Sequence, residues 1–456
     1  MSLRTATSGE PDPSGSVTNR RYDSGVRRPR LRGGARPPAQ RAAILATGAV
    51  VGAAGIAALL RWRLWSGDVP DTGAAPLEEF FDPAEVAENR DYRRGLWALA
   101  VVVAPVPAAV AVGVALAGGR WRPAVLSAAR GRVWRGGVLF GAGLALITAV
   151  VVLPLRAAGF AWGRSRGPVT QDVGPWLLDV GKATGIQMVI AGLVGSAVAV
   201  ALWRAPRLWP AWLAVGGAAL AFAGSLLSPL VAEQFMRTEP LEDPTLRAQV
   251  VELADRAGVE ADDVRVNDAS ARTSAPNAFV AGLGGSRRIV LFDTLIRDFP
   301  PDQVRAVTAH ELAHVQRRHV VKGTAWAAVL LVPGVLMVVA AVGWRTGFRS
   351  PGRDAQGREL VLRRLAIVAA TASVLGLATT PVVNAVSRAY EREADWTMLQ
   401  LTDDPEAAIG LQQGAVERSV NVPNPPAAIH FWFGSHPTAL QRIALAQRAA
   451  EGGAGG

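Results

Sequence analysis

The sequence has no cysteine, only two lysines and only five histidines in 456 residues. Without cysteine the chain can form no disulfide, no thiolate metal site and no cysteine nucleophile. Charged residues make up 19% of the chain and hydrophobic residues 50%, and the mean hydropathy is +0.22. That balance is apolar for a soluble protein. The length indicates more than one structural unit.

The net charge of +11 comes almost entirely from arginine. Nine arginines lie in the first 41 residues, among glycine, proline and serine. We expect residues 1–41 to form a disordered tail, because they include too few large apolar side chains to bury a core. Such a tail suits the surface of an anionic bilayer. Tyr22 is its only aromatic residue, so the segment offers little base stacking and a nucleic-acid partner is not expected.

Long uncharged stretches follow the tail. Each is 19 to 25 residues long, which matches the roughly 20 residues that cross a bilayer as a helix. Tryptophans lie near the ends of several, as interfacial anchors do. We therefore predict a mainly α multi-pass membrane protein with about seven transmembrane helices, the first too long and too far from the start to be a signal peptide. The stretches are 42–60, 95–119, 136–155, 183–203, 208–232, 323–344 and 365–387.

Two blocks of more soluble character remain between and after these stretches. The first begins with a helical pattern, and VRVNDAS, NAFVAG and RRIVLFDTLI are typical of strands. We therefore predict an α+β catalytic domain with a small β-sheet. The predicted division is a tail at 1–41, a five-helix membrane region at 42–232, the catalytic domain at 233–322, two further membrane helices at 323–387 and the C-terminal part of the catalytic domain at 388–456.

The segment TAHELAHVQRRH, residues 308–319, contains three of the five histidines. On a helix, His310 and His314 lie on one face and can bind one metal ion, with Glu311 beside it. We expect this helix to begin near Pro301 and to run almost directly into the membrane stretch at 323, which puts the site at the membrane surface. His319 lies half a turn off the metal face, so we expect it to be structural or solvent-facing.

A third ligand is available in SRAYEREADW, residues 387–396. Glu391 and Asp395 are four residues apart and share a helix face. Their negative charges could simply balance the positive charges of Arg388 and Arg392 in a solvated helix. Two histidines and one glutamate are, however, an established ligand set for catalytic zinc. Asp395 could then accept a hydrogen bond from a ligating histidine. The pattern predicts one Zn²⁺ per chain.

Taken together, these motifs resemble the type I CAAX prenyl endopeptidases, a family of integral-membrane zinc metallopeptidases related to the bacterial HtpX proteases. The resemblance covers most of the chain and implies a zincin-like catalytic domain of the gluzincin type. Ala313 stands where glycine is usual in that family. The segments that carry the resemblance are ENRDYRRG, PNAFVAGLGGSRRIVLFDTLI, HELAH, SRAYEREAD and SHPTALQRI.

The resemblance also implies roles for individual residues. Zinc would be held by His310, His314 and Glu391, with Asp395 supporting them. Glu311 would be the general base, His436 would steady the oxyanion and Arg442 would organise the site. An edge strand that pairs with an extended peptide would contain Asn277, Ala278 and Phe279.

The function that follows is a membrane-embedded zinc endopeptidase acting on peptide or membrane-protein substrates. One alternative is HtpX-like quality control of misfolded membrane proteins rather than processing of prenylated proteins. A catalytically idle scaffold would be expected to lack Glu311 or a ligand. A metal transporter would be expected to carry charged residues inside the membrane stretches, which contain none.

The side of the membrane that the site faces is left open by the sequence. The tail and the short connections on its side carry 22 basic residues, against 9 on the other side. The positive-inside rule then places the tail in the cytoplasm and the catalytic domain, five crossings later, outside. The resemblance implies a site that opens toward the cytosol. The sequence does not indicate an oligomeric state.

Overall fold

A computed structural model describes residues 69–232, 234–261, 263–282 and 287–452 of the chain. The predicted tail at 1–41 and the first apolar stretch at 42–60 lie outside these residues. The described part is mainly helical, as predicted, with one four-stranded sheet.

The first half of the described chain consists of helices. Pro105 separates the second from the third, because a proline ring suits the start of a helix better than its interior. The bounds are α1 Leu77–Phe80, α2 Pro83–Val103, α3 Val106–Leu116, α4 Gly118–Ala128, α5 Val133–Ser165, α6 Val173–Arg204 and α7 Trp209–Ala232.

The second half alternates helices with the sheet and then becomes helical again. Its helices are α8 Pro244–Arg256, α9 Asp293–Asp298, α10 Pro301–Gln316, α11 His319–Thr346, α12 Ala355–Thr402, α13 Pro405–Arg418, α14 Ala427–Phe433 and α15 Ala439–Gly452. Its strands are β1 Thr238–Pro240, β2 Asp263–Asn267, β3 Ala278–Ala281 and β4 Arg288–Phe292.

Five helical segments among the described residues are long and apolar enough to cross a membrane. Four of them contain a predicted stretch, and Pro83–Leu116 contains most of a fifth, 95–119. The stretch at 208–232 forms α7, which is also apolar. The prediction of a multi-pass membrane protein is confirmed, whereas the number seven is not. The five segments are Pro83–Leu116, Val133–Ser165, Val173–Arg204, His319–Thr346 and Ala355–Thr402.

Helices α5 and α6 form the closest helix pair of the membrane region. A Cβ atom at Gly137 would overlap the carbonyl oxygen of Gly195, and one at Gly141 would overlap the carbonyl oxygen of Ala191. The two backbones are therefore in contact at this crossing. Small residues allow such approach, and the packing they permit stabilises helix pairs in lipid.

The sheet has the order β1-β2-β4-β3, with β2 and β4 parallel and the other pairs antiparallel. All three predicted strands form. The prediction that RRIVLFDTLI is a strand throughout was too long, because its last residues begin α9 at Asp293. In the described part of the chain β3 pairs only with β4, so it is an edge strand. Side chains of β4, α8, α10 and α12 share one hydrophobic core.

Helix α10 begins at Pro301, as predicted, but it does not continue into the membrane helix. Arg318 adopts a left-handed backbone conformation, with φ of 56° and ψ of 40°. This residue ends α10 and starts α11 at His319, so the expectation of an almost continuous helix was wrong. A single left-handed residue turns the chain without glycine or proline, at a cost of roughly 1–2 kcal/mol. The break changes where His319 points.

Helix α12 is the longest helix, with 48 residues. Its start is capped by Asp354, whose side chain accepts a hydrogen bond from the backbone N–H of Gly357 at 2.8 Å. The helix contains the apolar stretch 365–387 and then the segment with Glu391 and Asp395. It therefore joins the membrane region to the site in one piece, and α10 packs against its C-terminal half.

Candidate active site

Three side chains from α10 and α12 converge on one point. Nε2 of His310 lies 3.1 Å from Nε2 of His314 and 3.1 Å from Oε2 of Glu391. Nε2 of His314 lies 3.6 Å from Oε1 of Glu391. One potential ligand atom of each residue therefore lies within 4.8 Å of the other two. The helical spacing of four explains the histidine pair, and the packing of α10 on α12 brings in Glu391 across 81 positions of sequence.

The far side of the His310 ring is held by Asp395. Nδ1 of His310 lies 2.9 Å from Oδ1 of Asp395. Asp395 is held in turn by the Arg442 guanidinium, whose Nη2 and Nε donate to its two oxygens at 2.5 and 2.9 Å. This bidentate pair orients the carboxylate, which is 2% exposed. The predicted contact between Asp395 and a histidine of the motif is present, and Arg442 organises it.

The surroundings shift the pKa values of the two histidines in opposite directions. Burial by itself lowers the pKa of His310, but the carboxylates of Asp395 and Glu391 on its two nitrogens outweigh burial and raise the pKa to about 10. Burial and the neighbouring positive charge of His310 lower the pKa of His314 to about 3. In the metal-free chain the pair therefore carries one positive charge near neutral pH, beside the Glu391 carboxylate, which is a site that favours a cation.

The donor set fits a zinc ion. Two imidazole nitrogens and one carboxylate oxygen converge, and zinc in catalytic sites takes three such protein ligands. Among the described residues, the cluster contains no fourth side chain, which leaves a position for water or substrate. The contact between His310 and Asp395 is the support that ligating histidines usually have on their second nitrogen.

Glu311 lines a cavity of about 140 Å³ beside this cluster. Burial raises the pKa of Glu311 to about 7, and the nearby charge of Glu391 acts in the same direction. A carboxyl group with a pKa near 7 can accept and return a proton near neutral pH. The other residues around the cavity are Pro276, Asn277, Val307, His310, Leu411, Gln412, Ala415, His436 and Arg442.

His436 reaches the same cavity from the loop before α15. Its Nε2 lies 3.4 Å from Oε2 of Glu391, and its side chain is 58% exposed. Ser435 Oγ lies 2.9 Å from Nδ1 of His436. Two contacts that the sequence did not reveal fix the loop. Nε2 of His430 bonds the His436 carbonyl at 2.8 Å, and Nη1 of Arg388 donates to the Gly434 carbonyl at 2.5 Å.

The three residues predicted to bind substrate have different surroundings. Asn277 lines the cavity, and its carbonyl accepts from the Phe292 N–H at 3.0 Å. Ala278 is 2% exposed, and Phe279 packs against the core beside Phe292. Asn277 thus lies at the site, where its Oδ1 accepts from the Ala278 N–H at 2.9 Å, whereas Ala278 and Phe279 can contribute only through the backbone of edge strand β3.

Sequence reasoning missed a second group of polar residues, on the far side of His314. His319 was expected to be structural or solvent-facing, and it is not solvent-facing: it is buried, with 6% exposure, and contacts His314. Glu393 and Lys322 complete the group. One available signal was the rarity of lysine, since Lys322 is one of only two in the chain.

Comparison with known proteins connects this geometry to a family. The model of peptidase family M48 matches residues 240–450. The chain is 30% identical over 311 residues to the uncharacterized metalloprotease YhfN of Bacillus subtilis, which covers 67% of this chain and 72% of that protein. It is 28% identical over 266 residues to protease HtpX of Alcanivorax borkumensis, which covers 53% of this chain and 86% of that protein.

Two further comparisons concern the CAAX prenyl proteases. The chain is 41% identical over 100 residues to CAAX prenyl protease 1 of Saccharomyces cerevisiae, but this covers only 22% of each protein. The crystal structure of Ste24p from S. mikatae shares the fold, with a TM-score of 0.70 at 20% identity, over 89% of this chain and 98% of that one. The resemblance seen in the motifs is thus confirmed, and the chain belongs to peptidase family M48 as a multi-pass membrane metalloprotease.

Proposed function

We propose that this protein is a zinc-dependent endopeptidase that hydrolyses peptide bonds in the cavity between α10, α13 and α15. The observation that carries the proposal is that Glu311 and His436 line one small cavity together with His310, one of the three potential metal ligands. Each has the chemistry that peptide hydrolysis requires at the position where it is needed.

His310, His314 and Glu391 would hold the zinc ion. When bound, zinc would polarise a substrate carbonyl and lower the pKa of water at the site to about 7. Asp395 keeps the proton of His310 on Nδ1, 2.9 Å away, and so leaves Nε2 free as a ligand. Arg442 keeps Asp395 in place through its two hydrogen bonds.

Glu311 acts as the general base and then as the general acid. Its carboxylate takes a proton as water adds to the peptide carbonyl carbon, and it gives the proton to the leaving amine as the C–N bond breaks. The products are a carboxylic acid and an amine, so the atoms of one water molecule are accounted for. In the metal-free chain, burial raises the pKa of this carboxyl group to about 7.

His436 donates a hydrogen bond to the developing oxyanion. A neutral His436 that accepts from the Ser435 hydroxyl at Nδ1 carries its proton on Nε2, the nitrogen directed toward Glu391. A donor held in this way stabilises charge on the carbonyl oxygen as it forms. The contacts from His430 and Arg388 to the loop limit its freedom and so keep the donor in position.

The substrates are extended peptide segments presented close to the membrane. The free edge of β3 can bind such a segment by strand addition, with Asn277 at the cavity. A second cavity of about 400 Å³ shares His436 and Arg442 with the first and reaches Trp97 on membrane helix α2. Unfolded or membrane-anchored segments have the required backbone, and lipid attached to the substrate is not needed for this binding.

The proposal is tested with the purified full-length protein in detergent, using casein as an unfolded substrate. We expect one zinc per chain by elemental analysis and cleavage that stops when a chelator removes zinc. Glu311→Gln is expected to keep the metal and to lose activity by about 10²–10⁴-fold. Glu252→Gln, on the exposed face of α8, is the matched control and should cleave as the natural protein does.

Each alternative predicts another outcome. Equal cleavage by the natural protein and Glu311→Gln would identify a contaminating protease and overturn the assignment of the base. Absence of cleavage by the zinc-loaded protein, with casein and with an unfolded membrane-protein fragment, would favour the idle scaffold. Cleavage restricted to a prenylated peptide would narrow the substrate class instead.

A further inference from the structure

The two histidines of the motif are supported in different ways on their outer nitrogens. Nδ1 of His310 faces a carboxylate, that of Asp395, at 2.9 Å. Nδ1 of His314 faces another imidazole, with Nδ1 of His319 at 2.8 Å. Between two such nitrogens a hydrogen bond forms only if one carries a proton and the other does not. The contacts of His319 decide which of the two Nδ1 atoms carries the proton.

Glu393 settles the tautomer of His319. Nε2 of His319 lies 3.2 Å from Oε2 of Glu393, and both oxygens of that carboxylate accept from the Lys322 ammonium at 3.1 and 3.0 Å. An ionised carboxylate only accepts hydrogen bonds, so Nε2 of His319 must be the donor. A neutral His319 then has a bare Nδ1, which accepts from His314.

The consequence reaches the site. If Nδ1 of His314 carries the proton, its Nε2 has a free lone pair, and this nitrogen is the one that faces His310 and Glu391. The chain of hydrogen bonds runs from Lys322 through Glu393 and His319 to His314. Every link except Lys322 and His314 is at least nine-tenths buried, with Glu393 3% and His319 6% exposed.

The backbone is arranged to make this contact. On a continuous helix the five residues from His314 to His319 would turn the second ring about 140° away from the first. The left-handed Arg318 interrupts the helix and brings the rings together, with centroids 4.9 Å apart. Tyr390 stacks on one face of His319, with centroids 4.7 Å apart and planes within 10°. The ring is therefore held on that face and at both nitrogens.

We propose that His319, Glu393 and Lys322 are positioning residues that hold His314 in the tautomer whose Nε2 binds the metal. This inference rests on the proposed zinc site, since it concerns one of its ligands. Partners of ligating histidines typically change metal affinity or activity by about 10–100-fold when they are removed. The same range is expected here, although His319 itself touches neither metal nor substrate.

The test measures zinc affinity by competition with a chromogenic chelator. His319→Leu removes the acceptor and is expected to weaken zinc binding about 10–100-fold. His319→Asn keeps an acceptor oxygen near His314 and is expected to recover most of the affinity. Tyr390→Phe keeps the stacked ring and serves as the control, with unchanged affinity. The visible absorption of the cobalt-substituted protein should change in His319→Leu and return in His319→Asn.

A merely structural role for His319 gives a different result. His319→Leu would then lower the unfolding temperature of the metal-free protein while zinc affinity and the cobalt spectrum stayed as in the natural protein, and this would overturn the inference. If His319→Leu does not fold, Glu393→Gln tests the same chain, because it removes the charge that keeps the proton on Nε2 of His319. Zinc binding weakened about threefold or more supports the inference, and unchanged binding contradicts it.

Failure of the proposed function is distinguishable from failure of this inference. A natural protein that binds zinc tightly and cleaves casein, together with an equally tight His319→Leu, refutes only the role of His319. A natural protein that binds no zinc refutes both.

Discussion

Two helix pairs in this molecule are held together in opposite ways. Helices α5 and α6 meet through backbone, at Gly137 and Gly141, and turn large apolar side chains outward; Val150 on α5 is 59% exposed. Helices α10 and α12 meet through buried charged and polar side chains, with Glu391 8% and Asp395 2% exposed. Close backbone packing marks the contact of the first pair, and paired polar groups mark the contact of the second.

The difference follows from the surroundings of each pair. A helix pair in lipid gains little from burying apolar side chains, because the lipid is equally apolar, so close packing has to stabilise it. Buried carboxylates are costly unless each has a partner. Between α10 and α12 those partners are the histidines of α10, Arg442 from α15 and Lys322 from α11. Changes to the two pairs should therefore affect different properties of the protein.

The largest effect is expected from filling the α5–α6 contact. Gly141→Leu forces the two backbones apart, because a Cβ atom there would overlap the Ala191 carbonyl. We expect a loss of about 3 kcal/mol or more, seen as little folded protein in detergent or a much lower unfolding temperature. In Gly143→Leu the Cβ would meet no described atom within 4 Å, so this matched variant should unfold as the natural protein does. Equal behaviour of the two variants would contradict the close crossing.

A change at the α10–α12 contact should instead weaken metal binding and leave the fold intact. Glu391→Gln removes the only acidic member of the ligand set and should weaken zinc binding by more than about 100-fold, with cleavage lost in parallel. The membrane helices should be unaffected, so far-ultraviolet circular dichroism should be unchanged. Glu406→Gln, in an exposed position on α13, is the control for loss of one acidic charge. Zinc binding retained at full strength in Glu391→Gln would exclude Glu391 as a ligand.

The pH dependence of stability should report on Glu311 in the metal-free protein. Its pKa is raised from 4.5 to about 7 in the folded chain. The folded state therefore binds more protons than the unfolded state between these values, and stability falls as pH rises through this window. Glu311→Gln should remove that loss, which amounts to at most ~3 kcal/mol.

The measurement compares unfolding temperatures at pH 5 and pH 8 in the presence of a chelator. The difference between Glu311→Gln and the natural protein should grow in favour of the variant as the pH rises. Glu252→Gln should show no such growth. A gap between Glu311→Gln and the natural protein that is the same at both pH values would mean that the carboxyl group of Glu311 is not held in its neutral form.

The smallest effect is expected at the junction between the two regions. Arg318→Gly replaces a side chain that disfavours φ of 56° and should raise stability by about 1 kcal/mol or less. Arg318→Ile should lower it, because a β-branched residue is strained in this conformation. Differential scanning fluorimetry of both variants checks the order. If glycine and isoleucine behave alike, the left-handed turn does not exist in solution.

Features that depend on local pattern could be predicted from the sequence. Uncharged stretches of bilayer length revealed five of the membrane helices, and the spacing of four predicted that His310 and His314 share a helix face. Helical spacing and the resemblance between short motifs then indicated Glu391 and Asp395, which the fold places against His310. The resemblance also indicated His436 and Arg442, which line the adjoining cavity. Their chemical roles stay predictions until the variants are measured.

Features that depend on a single backbone angle or on distant contacts could not be predicted. Nothing in QRRHVV marks Arg318 as left-handed, because neither glycine nor proline is present. The contact between His319 and His314 was not predicted, because the helix was assumed to be continuous. The contact between His319 and Glu393 joins residues 74 positions apart. His430 acts on the His436 loop through a backbone carbonyl, for which no sequence pattern exists.

The unbroken helix α12 also sets a fixed distance between the membrane and the site. The uncharged stretch ends at residue 387 and Glu391 follows four residues later, which is about 6 Å along the same helix axis. Two extended residues of a substrate span about 7 Å. For the proposed reaction, a chain anchored in the same bilayer would therefore be cut within a few residues of its anchor. The position of the cut would be measured from the membrane, largely independently of the residues on either side of the bond.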